Sequence, residues 1–320
     1  MLRCNIIRLS AVALLLSGCS ASNGDTDQCE TGADCASGAC NAGRCVSTGT
    51  GGSSGTAGAG GSGAGSAGAS GSSGSSGTPS GGTGGTVTCL PNQDGIIERA
   101  EVPIAAGLNA KFLIGIDAKV GTAGAKQSDG TRIWNFADAL AGDHLTVVET
   151  RDPSEYWFGP KFPSASYVTR LSDSSDLLGV FQITDKALLL LGVGSPQDGV
   201  TRTELKYDPP VVTLAFPLTA QKKWTTSSNV TGVAQGAPVV YTEKYDFSVD
   251  AHGVAKTPFA DFDVLRAQGT LTRTVGLLTT TIRSFAFVTE CFGTVATVTS
   301  NDNEPVVEFT QAKETRRLSP

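Results

Sequence analysis

Beyond residue 86 apolar and polar positions alternate with the period of a pleated strand. Tyr241, Tyr245, Phe247 and Val249 fall on one face at a spacing of two, the pattern of a half-buried antiparallel strand. The same signature, interrupted by Pro-, Gly- and Asp-rich turns, predicts thirteen short strands. They lie at 112–116, 133–136, 167–171, 178–184, 187–192, 201–207, 211–216, 223–230, 239–249, 264–274, 278–289, 294–299 and 306–316. Helical periodicity surfaces only around 136–140. The region 86–320 is therefore expected to be one all-β domain, an antiparallel meander forming a half-barrel, a barrel or a sandwich. Alternation is the same in all three, so periodicity leaves the choice open.

The preceding residues follow other rules. Arg3 and Arg8 stand before an apolar run at 9–16, too short to span a bilayer as a helix and followed by small residues, as in a secretory signal. Residues 1–18 are read as that signal. The next segment, 19–48, holds Cys29, Cys35, Cys40 and Cys45 but no Leu, Ile or Phe, so it has no core of its own and needs covalent staples. Three pairings are open, and the interleaved one, Cys29 with Cys40 and Cys35 with Cys45, is favoured here. A zinc site would want histidine or CxxC spacing, and neither is present. Residues 49–85 contain 17 of the 40 glycines in 37 residues, so they are read as a disordered linker with an end-to-end distance of roughly 33 Å. Its Gly51-Gly52-Ser53-Ser54-Gly55 fits the serine-hydrolase G-x-S-x-G pattern by letter only, since that chemistry needs a strained strand-to-helix turn. Of the eight cysteines, Cys89 and Cys291 bracket the β-domain, and a bridge between them would tie its entrance to its sheet.

Three resemblances extend this reading. Leu16-Ser17-Gly18-Cys19 resembles a bacterial lipobox, which implies acylation of Cys19 and attachment to a membrane through an N-terminal lipid. Ser20 rather than Asp after it resembles the sorting pattern that sends Gram-negative lipoproteins to the outer membrane. The phrase Cys29-x5-Cys35-x4-Cys40-x4-Cys45, followed by a Gly/Ser/Ala tract, resembles a motif distantly like the Dickkopf amino-terminal one, found in uncharacterised cysteine-rich lipoproteins. Further on, Leu214-Ala-Phe-Pro-Leu218, Trp224, Gly253-Val-Ala-Lys-Thr-Pro258, Phe262-Asp-Val-Leu-Arg266 and Phe285-Ala-Phe-Val288 loosely resemble periplasmic and outer-membrane β-domains. Some of those resemble the half-barrel of lipoprotein carriers of the LolA and LolB kind. This last likeness implies a fold class and assigns no residue roles.

Candidate chemistry is sparse. Asn92, Asp94, Gly95, Ile97 and Glu101 match the later part of a calcium-binding EF-hand loop, but Leu90 stands where the first ligand belongs. An ordinary Asp-Gly turn is the competing reading. The two histidines, His144 and His252, both sit in turn-like contexts, His144 at the start of a strand, and neither shows the surroundings of a Ser-His-Asp triad. The loop 151–163 carries Tyr156, Trp157 and Phe158 in succession between prolines. It reads as a flap over an apolar cavity or a sugar-stacking platform, against the simpler alternative of aromatics packed over the barrel's end. These three residues are the candidate ligand site.

A net charge of −6 without a basic run argues against nucleic-acid binding. No cofactor is implied, and a monomer is expected. The sequence thus points to an outer-membrane lipoprotein whose β-domain binds an apolar or amphipathic ligand without catalysis. A surface carbohydrate-binding module, or a hydrolase whose site the sequence does not display, are the alternatives.

Overall fold

The computed structural model describes residues 89–320, and before them only the backbone of two short ladders, Arg8–Leu9 with Leu14–Leu15 and Cys40–Asn41 with Arg44–Cys45. Cys19, the side chains of Cys29, Cys35, Cys40 and Cys45, and the 49–85 tract lie outside the described residues.

The domain is nearly all antiparallel β. Its strands are β1 (Asn109–Lys119), β2 (Ala125–Lys126), β3 (Arg132–Asn135), β4 (His144–Glu149), β5 (Tyr167–Ser172), β6 (Ser175–Ile183) and β7 (Ala187–Gly194). There follow β8 (Glu204–Ala215), β9 (Lys223–Ala234), β10 (Ala237–Lys256), β11 (Asp261–Val275), β12 (Leu278–Thr289), β13 (Gly293–Ser300) and β14 (Gln311–Ser319). One sheet of 14 strands runs in the order β4-β1-β14-β13-β12-β11-β10-β9-β8-β7-β6-β5, with β2 paired to β3 and β3 parallel to β10. The order is a meander in which β14 turns back onto β1. Its two edges, β4 and β5, meet through one bridge just past β4, Arg151 with Val168, whose two N–H···O bonds are both 2.9 Å. The sheet is thus nearly closed into a barrel.

Alternation places one residue set inside. Tyr207, Val230, Tyr241, Tyr245, Leu271 and Ile282 belong to one buried cluster that also takes in Ile97 and Val102. Those two come from a segment crossing the lower end of the barrel. Ile97 exchanges backbone bonds of 2.9 and 2.8 Å with Leu218, and Glu101 accepts from the Cys291 amide at 2.6 Å. Cys89 and Cys291 form a disulfide there, with Cα atoms 5.3 Å apart. On the outer face Trp134, Phe136, Phe262, Phe285, Phe287 and Phe309 make a second core beneath the β2–β3 hairpin and the 301–310 loop.

Several sequence expectations shift. The segments 201–207 and 211–216 are one strand, β8. Pro209 and Pro210 lack the amide a ladder needs, and the chain passes them where both ladders lapse: pairing to β9 stops at Asp208, and pairing to β7 jumps from Val211 to Lys206. Residues 136–140 are not helical but cover Gly115, where a Cβ would meet Leu140 at 3.0 Å. The last strand begins at Gln311 rather than 306 because the residues before it descend to bury Phe309. His252, expected in a turn, lies inside β10. Its neighbour Gly253 is there for close approach, since a Cβ would stand 1.9 Å from the Arg132 carbonyl of β3.

The Cys89–Cys291 bridge closes a sequence separation of 202 residues. On the chain-entropy model, replacing both cysteines by serine is expected to cost about 5 kcal/mol. Urea unfolding of the oxidised protein and the double variant checks this, and coincident midpoints would contradict it.

Candidate functional site

The aromatic loop is built by local capping. The Asp152 carboxylate accepts from Ser154 N at 2.8 Å, Glu155 answers toward Asp152 N at 3.4 Å, and Pro153 starts a single 3-10 turn. A second such turn, Gly159–Lys161, lets the chain double back. Phe158 (0% exposed) and Phe162 are pressed onto the outer face of β5–β7, among Val168, Leu178, Val180 and Leu191. Two glycines make the room: a Cβ on Gly194 would lie 2.4 Å from the Phe158 ring, and one on Gly192 would lie 2.4 Å from Phe162.

The three successive aromatics therefore have different surroundings. Phe158 faces the sheet. Trp157 is half-buried, donates to the Ser195 carbonyl at 2.9 Å, and has Lys161 and Arg202 over its ring at 5.2 and 5.5 Å. Tyr156 stacks on Phe158 with centroids 5.4 Å apart and lines a cavity of about 230 Å³. That cavity lies along the incomplete joint of the barrel, between Thr146, Val148 and Arg151 on one side and Val168, Arg170 and Asp173 on the other.

At the upper end of this joint His144 Nε2 and Asp173 Oδ2 are 2.7 Å apart, and Thr146 Oγ1 donates to Asp173 Oδ1 at 3.2 Å. The hydrogen bond to Asp173, then that to the Gly142 carbonyl, raises the imidazole pKa above its ordinary 6.5. Burial pushes the Asp173 carboxyl up, but its hydrogen bonds with His144 and Thr146 and the charges of His144 and Arg170 prevail and hold it below 3.8. His144 sits at the joint through its contact with Asp173, and His252 at the lower end. Neither ring meets a serine hydroxyl among the described residues.

A larger groove, about 810 Å³, opens at the lower mouth between the crossing segment and the lower ends of β10 to β12. Ile97, Val254, Phe262, Leu265 and Phe292 supply its apolar surface, and His252, Asp129, Asp261, Asp263 and Glu290 its polar groups. No sequence motif announced it, because its walls come from positions two hundred residues apart. The usable signal was Phe292, an apolar side chain in a turn, 53% exposed.

Alternation also missed a polar cluster inside the barrel. Glu243 lies between Tyr241 and Tyr245 at the same spacing of two, so it shares their buried face. Arg273 Nε donates to Glu243 Oε1 at 2.7 Å, and the Tyr245 hydroxyl donates to Oε2. Burial first, then the Glu243 charge, holds the Tyr207 and Tyr245 phenols well above their ordinary range.

The calcium-loop candidates make local backbone bonds. Asn92 Oδ1 accepts from Asp94 N at 2.9 Å, and Asp94 Oδ1 accepts from Ile96 N at 2.8 Å. Glu101 Oε2 accepts from Glu98 N at 2.9 Å as half of a capping box. The segment thus forms an Asx turn followed by a capping box, and among the described residues no group of three or more His, Cys, Asp or Glu could hold a metal ion.

No family model matches the chain, and no curated protein matches it. Among solved structures it is similar to a Bacteroides fragilis protein with a YmcC-like fold, put forward as an exported protein, at 8% identity and a TM-score of 0.26. That match covers 67% of this chain and 96% of the other. It is also similar to a Parabacteroides distasonis protein put forward as a lipoprotein, at 11% identity and a TM-score of 0.23, covering 67% and 95%.

Gly194→Ala is expected to dislodge Phe158 and cost about 1–3 kcal/mol, with Lys161 becoming cleavable by trypsin in the folded protein; an unchanged melting temperature would argue against this packing. The His144–Asp173 contact should stabilise most between the ordinary values of 3.8 and 6.5, where Asp173 is charged and His144 protonated. It fades as pH climbs through the raised histidine value, and again in acid as Asp173 protonates. With the imidazole 44% exposed, the amplitude is under about 1 kcal/mol. Melting of wild type and His144→Ala across this range should converge above it.

Proposed function

We propose that this chain is a lipid-anchored protein of the bacterial envelope, attached to the outer membrane through acylated Cys19, whose barrel binds an apolar or amphipathic ligand without transforming it. The anchor rests on residues 1–19: a basic start, a short apolar core, small residues and the cysteine. The observation that carries the binding part is the lower-mouth groove, whose volume of about 810 Å³ lies in the range of small-molecule sites. Its apolar wall is edged by polar groups, as an amphipathic ligand requires. The cavity beside Tyr156 is smaller, at about 230 Å³, and suits a chain end or small group better than a whole lipid.

Anchoring predicts that labelled palmitate enters the wild-type protein and not Cys19→Ala, which should leave the membrane fraction; equal labelling of both would sink the anchor. For the ligand, the full chain purified without detergent should displace an uncharged fluorescent apolar probe from water. Phe292→Ser, a surface change, is expected to weaken the probe about fivefold on lost apolar contact area, while Tyr156→Ala leaves it unaffected. No probe binding by wild type would reject the reading.

A further inference from the structure

The interior of the barrel holds two hydroxyls that no group of the protein meets. On the inner face Tyr207 of β8, Val230 of β9 and Tyr241 of β10 stand in one cross-strand row. The backbones of the two tyrosines thus lie two strand spacings apart, about 10 Å, on either side of a valine. Tyr207 is 1% exposed and Tyr241 7%, and among the described residues neither hydroxyl oxygen has a hydrogen-bond partner. Tyr207 is near enough to Tyr241 and Tyr245 for their phenols to act on it electrostatically. Tyr245 differs from the other two, because its hydroxyl is spent on Glu243. Burial, then the Glu243 charge, keeps the phenols of Tyr207 and Tyr241 protonated and therefore donors. A buried donor without an acceptor is costly, and native structures almost always satisfy it.

The next row down is already satisfied. Ser228, Glu243 and Arg273 follow in register on β9, β10 and β11, and Arg273 Nε donates to Glu243 Oε1 at 2.7 Å, so the two charges cancel. A third charge of either sign would enter the interior without a counter-ion. The phenol row itself runs on into apolar side chains. Val275 of β11 lies one step beyond the Thr242–Thr274 pair and is paired with Leu278 of β12. Both continue the inward alternation of Leu271 and Ile282, yet they are 48% and 57% exposed, so the protein leaves them uncovered at this upper level of the barrel.

From these two observations, unmatched donors and uncovered inward apolar side chains in one row, we infer that the upper barrel binds an uncharged amphiphile. Its ester, amide or hydroxyl oxygen accepts from Tyr207 and Tyr241, and its hydrocarbon part covers Val275 and Leu278. The site is separate from the lower-mouth groove and stands or falls without it.

Calorimetry on the full chain with monolauroylglycerol, laurate and dodecyltrimethylammonium, each below its aggregation limit, tests the class. The glycerol ester should bind roughly tenfold or more tightly than either ion. Tyr207→Phe with Tyr241→Phe keeps both rings and removes both donors. This pair should weaken the ester about tenfold and raise the melting temperature of the free protein, because two unmatched hydroxyls are gone. With the ester labelled at its carbonyl, the infrared band should move to lower frequency on binding wild type and not on binding the double variant. Phe292→Ser, in the lower groove, should leave ester binding unchanged. A melting temperature that does not rise in the double variant, with ester affinity unchanged, assigns the hydroxyls to bound water and overturns the proposal. Equal binding of ester and ions, or no ester binding, overturns it too. If Phe292→Ser weakens the ester and the tyrosine substitutions do not, the lower-mouth reading stands and the upper site is rejected. Should the double variant not fold, the single variants Tyr207→Phe and Tyr241→Phe decide, each expected to weaken the ester about threefold.

Discussion

A long twisted meander has two free edges, and everything distinctive about this domain follows from how they are brought together. Here β4 and β5 share a single backbone bridge, Arg151 with Val168. Exposed edge amides and carbonyls invite pairing with other chains, so a joint this thin needs other cover. The loop after Arg151 provides it. It turns directly from the bridge into its two 3-10 turns, and Phe158 and Phe162 clamp onto the outer face of β5–β7. At the other end His144 and Thr146 hold Asp173. Closure is therefore mostly a side-chain matter, and the cavity beside Tyr156 is the stretch where neither ladder nor clamp fills the gap.

Buried arginines attach the connecting segments to the outside of this frame. Arg266, 1% exposed, donates to Asp250, Glu308 and the Thr122 carbonyl while its guanidinium lies 4.4 Å from the Phe285 ring centre. It thereby joins β10, β11, the 301–310 loop and the segment after β1. Arg317, fully buried, reaches the Asp138 carbonyl at 2.6 Å and the Asp143 carboxylate, fixing the loop that replaces any helix at 136–140. Taking such charges out of water is costly, and the geometry offsets the cost only because each guanidinium finds several acceptors. Removing one acceptor would leave a buried charge, so these contacts fix position more than they add stability.

The sequence made the repeating part of the fold legible and left the exceptions hidden, for physical reasons visible at particular residues. Period-two alternation in 241–249 was readable because the strand there has a buried face and a more exposed one, and β12 matches its expected ends, Leu278 and Thr289, although its second half is buried on both faces. Turn residues misled where tertiary contact overrode them. Gly253 looked like a turn but admits β3, and Pro209 with Pro210 looked like a break but sits where the ladders already lapse. Of the candidate site, the aromatic run at 156–158 was conspicuous, and its three rings do pack together, Tyr156 and Trp157 both against Phe158, but each has a different further neighbour. Glu243 was legible in principle: a carboxylate in phase with buried tyrosines must have a buried partner, and Arg273 of β11, the next strand, supplies it.

The lower mouth shows why the most open surface was the least legible. β10 and β11 run to 20 and 15 residues, longer than most of their neighbours, and carry the sheet below the level at which the barrel is packed. The crossing segment, held to Leu218 and Cys291, then forms a wall opposite these overhanging ends instead of sealing them. A concavity made this way needs no motif, only strands of unequal length and a strap tied at both sides. Its chemistry is set by whichever residues cap the overhang, here Asp261 and Asp263 pointing away from the buried Phe262 and Val264 between and beside them. Alternation that builds a core higher on β11 thus builds an acidic lip at its lower end, and the same rule that makes the barrel also determines the sign of charge at its mouth.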